Sequence, residues 1–428
     1  MDGKKMILSE QDKLLLIQQK CAKKSRSCDI VTLILTLGLI VVFTLLFWIL
    51  PDKNFSEQEN RVLQQLPKIQ SNFSGSFMER LTEGKFLDRL VNGKYTAEIA
   101  DYYADQFPAR DFFVGLKGIS EAAQLKGGNN GVVICEDGYI ITREDYPDAN
   151  TVSANLAAIE EFSAVMESDG VLVYLAMAGR PVDVLESSLP ALYPYESSEV
   201  LWKRFRDESN RLESTRYIEL LEPLKAAHEA GEQQIYYRTD HHWTTHGAYL
   251  AYREIMSAMG MEAYEIGDFE IEVVSDSFYG TTWSNGGMKW IGADEMVYYR
   301  FGDDMEYTTS VADTGISFDS FYDRSYLEKK DKYSSFISGN NARVDITKKT
   351  GEKREKLLLI KDSFAHSAAP FLARHFDLVI IDLRYFKESC AALVREEGID
   401  RVLILNYIGS NTSSNVHSIL KFGLEQES

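Results

Sequence analysis

A chain of 428 residues, 45% of them hydrophobic, is long enough for a sizeable core with an appendage or a second small unit. Its formal net charge of −19 argues against nucleic acid and anionic lipid as partners of the acidic part. Four cysteines do not make a disulfide scaffold: Cys21 and Cys28 precede the longest apolar run, which leaves Cys135 and Cys390 as either a pair or two buried thiols.

From Ile30 through Leu50 the chain reads IVTLILTLGLIVVFTLLFWIL, twenty-one residues without a charge. At about 1.5 Å per residue such a helix crosses the roughly 30 Å hydrocarbon core of a bilayer. Before it stand Lys4, Lys5, Lys13, Lys20, Lys23, Lys24 and Arg26 against Asp2, Glu10, Asp12 and Asp29, a cationic excess of +3. The excess places residues 1–29 in the cytoplasm, 30–50 in the membrane and the remainder, which carries about −22, on the extracytoplasmic side. The competing reading is a cleaved signal. Its apolar region is typically about 7 to 15 residues with a small-residue cleavage site, whereas this run ends Phe47-Trp48-Ile49-Leu50-Pro51, so a retained single-pass anchor is expected.

Residues 51–125 read as a stalk or helical lead-in, with FSEQENRVLQQLPKI at 55–69 and DYYADQFPARDFF at 101–113. Lys126 to Asn130 is a loop, and the apolar pieces within Val132 to Thr142 flank Asp137-Gly138, a hairpin signal. Beyond residue 150 helix and strand patterns alternate. Val152, Leu156, Ile159 and Val165 mark one helix face, and VLVYLAMA (171–178) has the continuous apolar character of a parallel strand buried on both faces. RYIELL (216–221) is a second candidate strand. After a Tyr-, Ser-, Asp- and Gly-rich segment at about 265–350, read as an irregular insertion, come KLLLI (356–360), a helix about Ala365 to Phe376, LVIIDL (378–383), a helix about Lys387 to Glu397 and RVLILN (401–406). This succession predicts an α/β sheet with right-handed crossovers.

The densest chemical signal is TDHHWTTHGAYLAY at 239–252, which crowds Asp240, His241, His242, Trp243 and His246 just before a helix that Thr244 caps. An Asp two residues from a His orients an imidazole as a general base, so Asp240 and His242 are read as carboxylate and base, with His241 as the alternative base. Local hydrogen bonding that supports a turn is the bland reading of each histidine alone. The expected nucleophile is Ser363 in LLLIKDSFAHS, where an apolar strand breaks into a helix whose N-terminus offers backbone N–H groups to an oxyanion. Ser277, in the second Asp-Ser-Phe, follows no comparable apolar run and is read as a loop serine. Gly179, Arg180, Arg384 and Asn406 also stand at strand ends, where ligands of open α/β sheets collect. The rival is a metal centre on His242 and His246 with Asp240 or His241. A zincin pattern needs Glu at 243, where this chain has Trp243, so no metal and no cofactor are expected.

The segments SEQENR (56–61), DQFPARD (105–111), TDHHWTTHGAY (239–249), FYGT (278–281) and KDSFAHSAAPFLARHFDLVIIDLRYF (361–386) resemble the DHHW family, which is similar to the SGNH-like domains of the alginate O-acetyltransferases. The resemblance implies a three-layer α/β/α SGNH-hydrolase-like domain over 126–428 with a mostly parallel sheet. The implied chemistry is acyl transfer to, or removal from, an exported or cell-wall polysaccharide. The Asp-x-His-Trp of the related acetyltransferases maps onto Asp240, His242 and Trp243, with Ser363 as nucleophile. The order departs from the better-known SGNH hydrolases, where Ser comes first, and Lys361 stands where those have glycine. The Ser363 N–H is then the first oxyanion donor, with Gly280 and Asn406 as weaker ones and Arg384 and Trp243 as further contacts. An extracytoplasmic transferase also needs a membrane-bound O-acyltransferase to pass acetyl groups outward. The rival from another class is a non-catalytic envelope protein that binds glycan or assists assembly.

Overall fold

The computed structural model describes residues 10–56, 61–67, 90–144, 148–191, 193, 199–231 and 233–424. Positions 57–60 of the SEQENR segment and 68–89 of the expected stalk lie outside the described residues. The chain divides into two compact units, Met1–Ser56 with Arg61–Val114, and Glu57–Asn60 with Gly115–Ser428.

In the first unit the helix Glu10–Ile49 includes Cys28–Ile49, which is long and apolar enough to cross a membrane and which length and composition alone make equally an anchor or an export signal. Strand β1 (Phe55–Ser56) pairs antiparallel with β2 (Arg61–Val62). The helix Lys94–Asp105 follows, and a turn through Ala109, held at φ 57, leads into the helix Arg110–Ala123. Gln106 ties this turn to the chain leaving the apolar helix: its Oε1 accepts from the Lys53 N–H at 2.9 Å, and its Nε2 donates to the Lys53 carbonyl at 3.0 Å.

The second unit opens with a small antiparallel sheet of β3 (Gly128–Asn129), β4 (Val132–Ile134) and β5 (Ile140–Thr142). Asp137 and Gly138 make its connection with φ 53 and 79, a left-handed pair that Asp-Gly supplies at low strain. The helix Ala149–Ser168, capped by Asp148, leads to the first strand of the main sheet. The strands in chain order are β6 (Leu172–Ala178), β7 (Thr215–Ile218), β8 (Glu270–Phe278), β9 (Asp294–Arg300), β10 (Tyr307–Val311), β11 (Ile316–Asp319), β12 (Arg343–Lys348), β13 (Lys356–Lys361), β14 (Asp377–Ile381) and β15 (Arg401–Tyr407). Eight of them form one sheet in the order β11-β10-β12-β14-β13-β15-β6-β7, while β8 and β9 pair apart with two register shifts.

The expected mostly parallel sheet is therefore corrected to a mixed one. Pairing from β14 through β13, β15 and β6 to β7 is parallel, but β12, β10 and β11 extend the β14 edge antiparallel. The physical reason lies in burial. Within β13 and β15 Leu358, Leu359, Ile360, Leu403 and Ile404 are fully buried, so the strands read as unbroken apolar runs. The added β10 and β12 bury alternate residues only and carry Thr, Ser, Asp and Lys between them. Because the parallel strands run the same way, Gly179, Asp362, Asp382 and Asn406 lie at one edge of the sheet.

Cys28, Cys135 and Cys390 are free thiols; burial pushes Cys135 and Cys390 up to about 12. His417, in the C-terminal 3-10 turn Val416–Lys421, is fully buried, and neither ring nitrogen has a hydrogen-bond partner among the described residues. Burial pushes its pKa down from 6.5 to about 4, so as the pH falls from 6.5 towards 4 the unfolded chain takes up a proton that the folded ring does not, and stability falls. Replacing His417 by Leu should raise stability by about 1–2 kcal/mol at neutral pH and flatten the loss of Tm on acidification. Thermal unfolding across that pH range checks both; a Tm that falls at pH 7 counts against the orphaned imidazole as a cost.

Candidate active site

The loop before helix Thr245–Ala258 is closed by an antiparallel bridge between Tyr236 and Trp243 and by Thr244 N–H donating to the Ile235 carbonyl at 2.9 Å. Thr244 Oγ1 then accepts from Gly247 N–H at 3.2 Å and caps the helix as its sequence position predicts. The closed loop holds Asp240, His241 and His242 at its tip. Trp243 points inward and is fully buried, with Nε1 donating to the Phe364 carbonyl at 2.8 Å and to Ser367 Oγ at 3.0 Å. One indole thereby fastens the imidazole loop to the turn that carries Ser363.

That turn is shorter than the sequence suggests. β13 ends at Lys361, Asp362 is in extended backbone, and Ser363–His366 is a 3-10 turn followed by one α turn, Ala369–Leu372, in place of the helix expected over 365–376. Asp362 braces it from both sides. Its Oδ1 accepts from Phe364 N–H at 3.0 Å, and its Oδ2 accepts from Tyr407 N–H at 2.8 Å and Ser410 Oγ–H at 3.0 Å.

Ser363, His242 and Asp240 are brought into one hydrogen-bonded line. His242 Nε2 is 2.7 Å from Ser363 Oγ, and His242 Nδ1 is 2.5 Å from Asp240 Oδ1. A carboxylate only accepts, so Nδ1 carries the imidazole proton and Nε2 accepts from the serine hydroxyl. The ring is stacked on Tyr333 at a centroid distance of 4.1 Å and an angle of 14°. Asp240 is buried, which pushes its carboxyl up, yet His241, His242 and the Thr281 N–H together hold it well below the usual carboxylate range.

The second oxygen of Asp240 settles the other imidazole. Oδ2 accepts from Thr281 N–H at 2.7 Å and from Thr281 Oγ1–H at 3.0 Å. With its hydrogen committed there, Thr281 Oγ1 accepts from His241 Nδ1–H at 2.8 Å. His241 thus carries its proton on Nδ1 and leaves Nε2 bare, and burial together with His242 pushes it down to about 4, neutral near pH 7. Its partner is Thr281; the imidazole on Ser363 is that of His242. His246 bonds Tyr299 Oη at 3.2 Å. The ligating atoms of Asp240, His241 and His242 do lie within 4.8 Å of one another. However, bonds of about 2.0–2.1 Å to one tetrahedral ion hold ligand atoms roughly 3.3 Å apart, so the 2.5 Å between Asp240 Oδ1 and His242 Nδ1 suits a hydrogen bond instead.

The remaining expected contacts divide. Gly280 and Arg384 line the open cleft of about 270 Å³ above Ser363; Trp243 and Asn406 are not among its lining residues. The Gly280 N–H donates to Thr239 Oγ1 at 3.1 Å, which corrects its reading as an oxyanion donor. Its role is spatial: at φ −79 it needs no left-handed backbone, but a Cβ would lie 2.2 Å from Asp240 Cβ. Arg384 is held as a fork by Asp382, with Nε to Oδ1 at 2.9 Å and Nη2 to Oδ2 at 2.6 Å. Asn406 is buried within β15, its Oδ1 without a partner among the described residues.

The sequence reading missed Tyr333, Lys330 and Thr281, all in the cleft wall, and the buried Lys361–His366 contact at 2.8 Å beneath the serine turn. Thr281 lies within the quoted FYGT segment and His366 within KDSFAHS, but spacing alone does not reveal their partners. Burial pushes Lys361 down to about 8 against the opposing pull of Asp382.

Comparison with known proteins bears out the resemblance drawn from the sequence. Residues 210–382 match the family model described as DHHW protein, and residues 132–279 match that of the SGNH hydrolase-like domain, acetyltransferase AlgX. The chain is 26% identical over 197 residues to "Probable alginate O-acetylase AlgJ" of Pseudomonas syringae pv. tomato, covering 45% of this chain and 47% of the relative. It is 24% identical over 167 residues to the protein of the same name in Pseudomonas fluorescens, covering 38% and 41%. The chain thus spans about half the length, or less, of these curated relatives. Among solved structures, a DHHW family protein from Eubacterium siraeum superposes with a TM-score of 0.56 at 23% identity, over 68% of this chain and 95% of that one. Bacillus cereus PatB1 gives 0.56 at 19% identity, over 67% and 98%. These likenesses show a shared mixed α/β fold.

Gly280→Ala should displace the Asp240 carboxylate, lowering stability by about 1–3 kcal/mol and shifting His242 off Ser363. Denaturant unfolding, with an NMR titration of the His242 ring, measures both; a variant matching the parent in each removes the spatial role assigned to Gly280.

Proposed function

We propose that this chain is a membrane-anchored, extracytoplasmic serine acyltransferase or esterase that adds acetyl groups to, or removes them from, a cell-envelope or exported polysaccharide. The observation that carries the reading is the unbroken line from Asp240 Oδ1 through His242 to Ser363 Oγ, with spacings of 2.5 and 2.7 Å. Alignment of carboxylate, imidazole and hydroxyl is what nucleophilic acyl transfer requires. It also lies under an open cleft, at the sheet edge where ligands of α/β folds bind.

In the first half-reaction Ser363 Oγ attacks the carbonyl carbon of an acetyl ester while its proton passes to His242 Nε2. The Ser363 N–H, at the start of the 3-10 turn, steadies the oxyanion; collapse then returns the proton from His242 to the departing alkoxide, leaving acetyl on Ser363. In the second half a sugar hydroxyl, or water, enters the cleft, gives its proton to His242 and takes the acetyl group, and His242 returns that proton to the departing Ser363 Oγ. Asp240 stays ionised throughout and stabilises the imidazolium. Arg384 and Lys330, at the cleft wall, meet polar groups of the substrate.

The curated relatives named as alginate O-acetylases support a polysaccharide acceptor. The apolar helix supports anchoring at 30–50 with residues 1–29 in the cytoplasm and an SGNH-like domain at 126–428 outside, beside a membrane-bound O-acyltransferase that supplies acetyl groups. No resident cofactor enters the scheme.

With a nitrophenyl acetate as substrate, Ser363→Ala should lower turnover by roughly 10³-fold or more. Asp240→Asn should cost about 10⁴-fold through the wrong tautomer of His242. His241→Ala should retain far more activity than His242→Ala, and a chelator should change nothing. Labelling by a fluorophosphonate, read by mass spectrometry, should fall on Ser363. Undiminished turnover in Ser363→Ala would sink the mechanism, and an unlabelled parent enzyme would favour a glycan-binding role.

A further inference from the structure

The first unit carries a cluster of aromatic rings that the proposed chemistry does not use. Phe43 and Phe47, on the apolar helix, are packed against residues of the two helices that meet near Ala109 and of the turn between them. Phe43 stacks on Phe107 at 5.3 Å and 14° and meets Phe113 edge-on at 5.6 Å. Phe47 stacks on Tyr103 at 5.2 Å and 28° and meets Tyr102 at 5.8 Å. Phe107 and Phe113 touch each other at 5.8 Å. Despite these contacts the outward faces are bare: Tyr103 is 51% exposed, Phe107 42%, Phe112 63% and Phe113 38%. Four large rings side by side at a surface are not an ordinary scatter of apolar residues.

Their height along the apolar helix identifies what covers them. Phe47 and Phe43 stand two and six residues before the helix end at Ile49, which at 1.5 Å per residue puts them about 3 and 9 Å below that end. Rings stacked on them share that depth. Interfacial segments seat their apolar side about 5–10 Å into the boundary between headgroups and acyl chains. Polar tethers lie where water should begin: Tyr102 Oη bonds Asp52 at 3.1 Å, and Gln106 clasps the Lys53 backbone at 2.9 and 3.0 Å. Asp105 is paired with Arg110 at 3.7 Å across the turn.

We infer that Tyr103, Phe107, Phe112 and Phe113 form an aromatic collar embedded in the outer leaflet of the lipid bilayer beside the span. The occupant of this face is lipid, at the acyl–headgroup boundary. The inference rests on the reading of the apolar helix as a retained anchor, and it goes beyond that reading because an anchor alone needs no collar. The turn at Ala109, in the left-handed region at φ 57, is the local strain that aims Phe107 at the span.

The test uses the full chain reconstituted without other proteins into phosphatidylcholine vesicles, part of the lipid brominated near the top of its acyl chains. Phe112→Trp is made in a Trp48→Phe background, with unchanged circular dichroism as the folding control. Brominated lipid should quench the added indole by about twofold or more, as for a ring seated at the interface. An indole quenched no more than the background, in a chain that resists alkaline extraction, overturns the collar and leaves the anchor standing. Release of the chain by alkali overturns both.

Discussion

A carboxylate taken out of water must have its lone pairs answered by donors, or it loses its charge. Asp240 meets that condition with four: the His242 N–H and Nδ1–H on one oxygen, and the Thr281 N–H and hydroxyl on the other. Much of the site follows from this arrangement. It sets the tautomer of His242 directly and that of His241 through Thr281. It also requires position 280 to be without a side chain, since the oxygen that Thr281 serves occupies the space a Cβ would take. Removing any one of the four donors leaves a buried charge short of a partner, which is why the loop at 239–243 and the turn at 280–281 act as one unit.

Two further anchors keep the serine under that imidazole. Trp243 and Asp362 both bond the backbone of the 363–367 turn or its flanks, one from the imidazole loop and one from beneath, reaching the end of β15. Neither side chain is among those that line the cleft. Their effect is positional: misplacing reacting groups by about an ångström can cost two orders of magnitude in rate, and here two rigid polar contacts fix the separation. The Trp of Asp-His-His-Trp therefore behaves as a clamp between distant parts of the chain.

What the sequence disclosed follows how each feature was encoded. The strands VLVYLAMA, KLLLI, LVIIDL and RVLILN were legible because burial on both faces writes an unbroken apolar run. Asp240 and His242 were legible because their pairing is local, and Ser363 because an apolar strand ends just before it. The antiparallel extension by β12, β10 and β11 was not legible: short strands with alternating burial and many hydroxyl residues have the composition of loops. Gly280 was misjudged because sequence gives no account of empty space, and the space it leaves belongs to a residue forty positions away. Tyr333 and Lys330 sit in stretches with no periodicity, and only the folded chain brings them to the cleft.

The thiols of Cys135 and Cys390 hold a last consequence. Both are buried and unbridged, and at a pKa of about 12 neither offers an appreciable fraction of thiolate to an oxidant or to another disulfide. The packing around Cys135 and Cys390 thus holds without a bridge between them, and what keeps each thiol in place is the apolar core it is buried in.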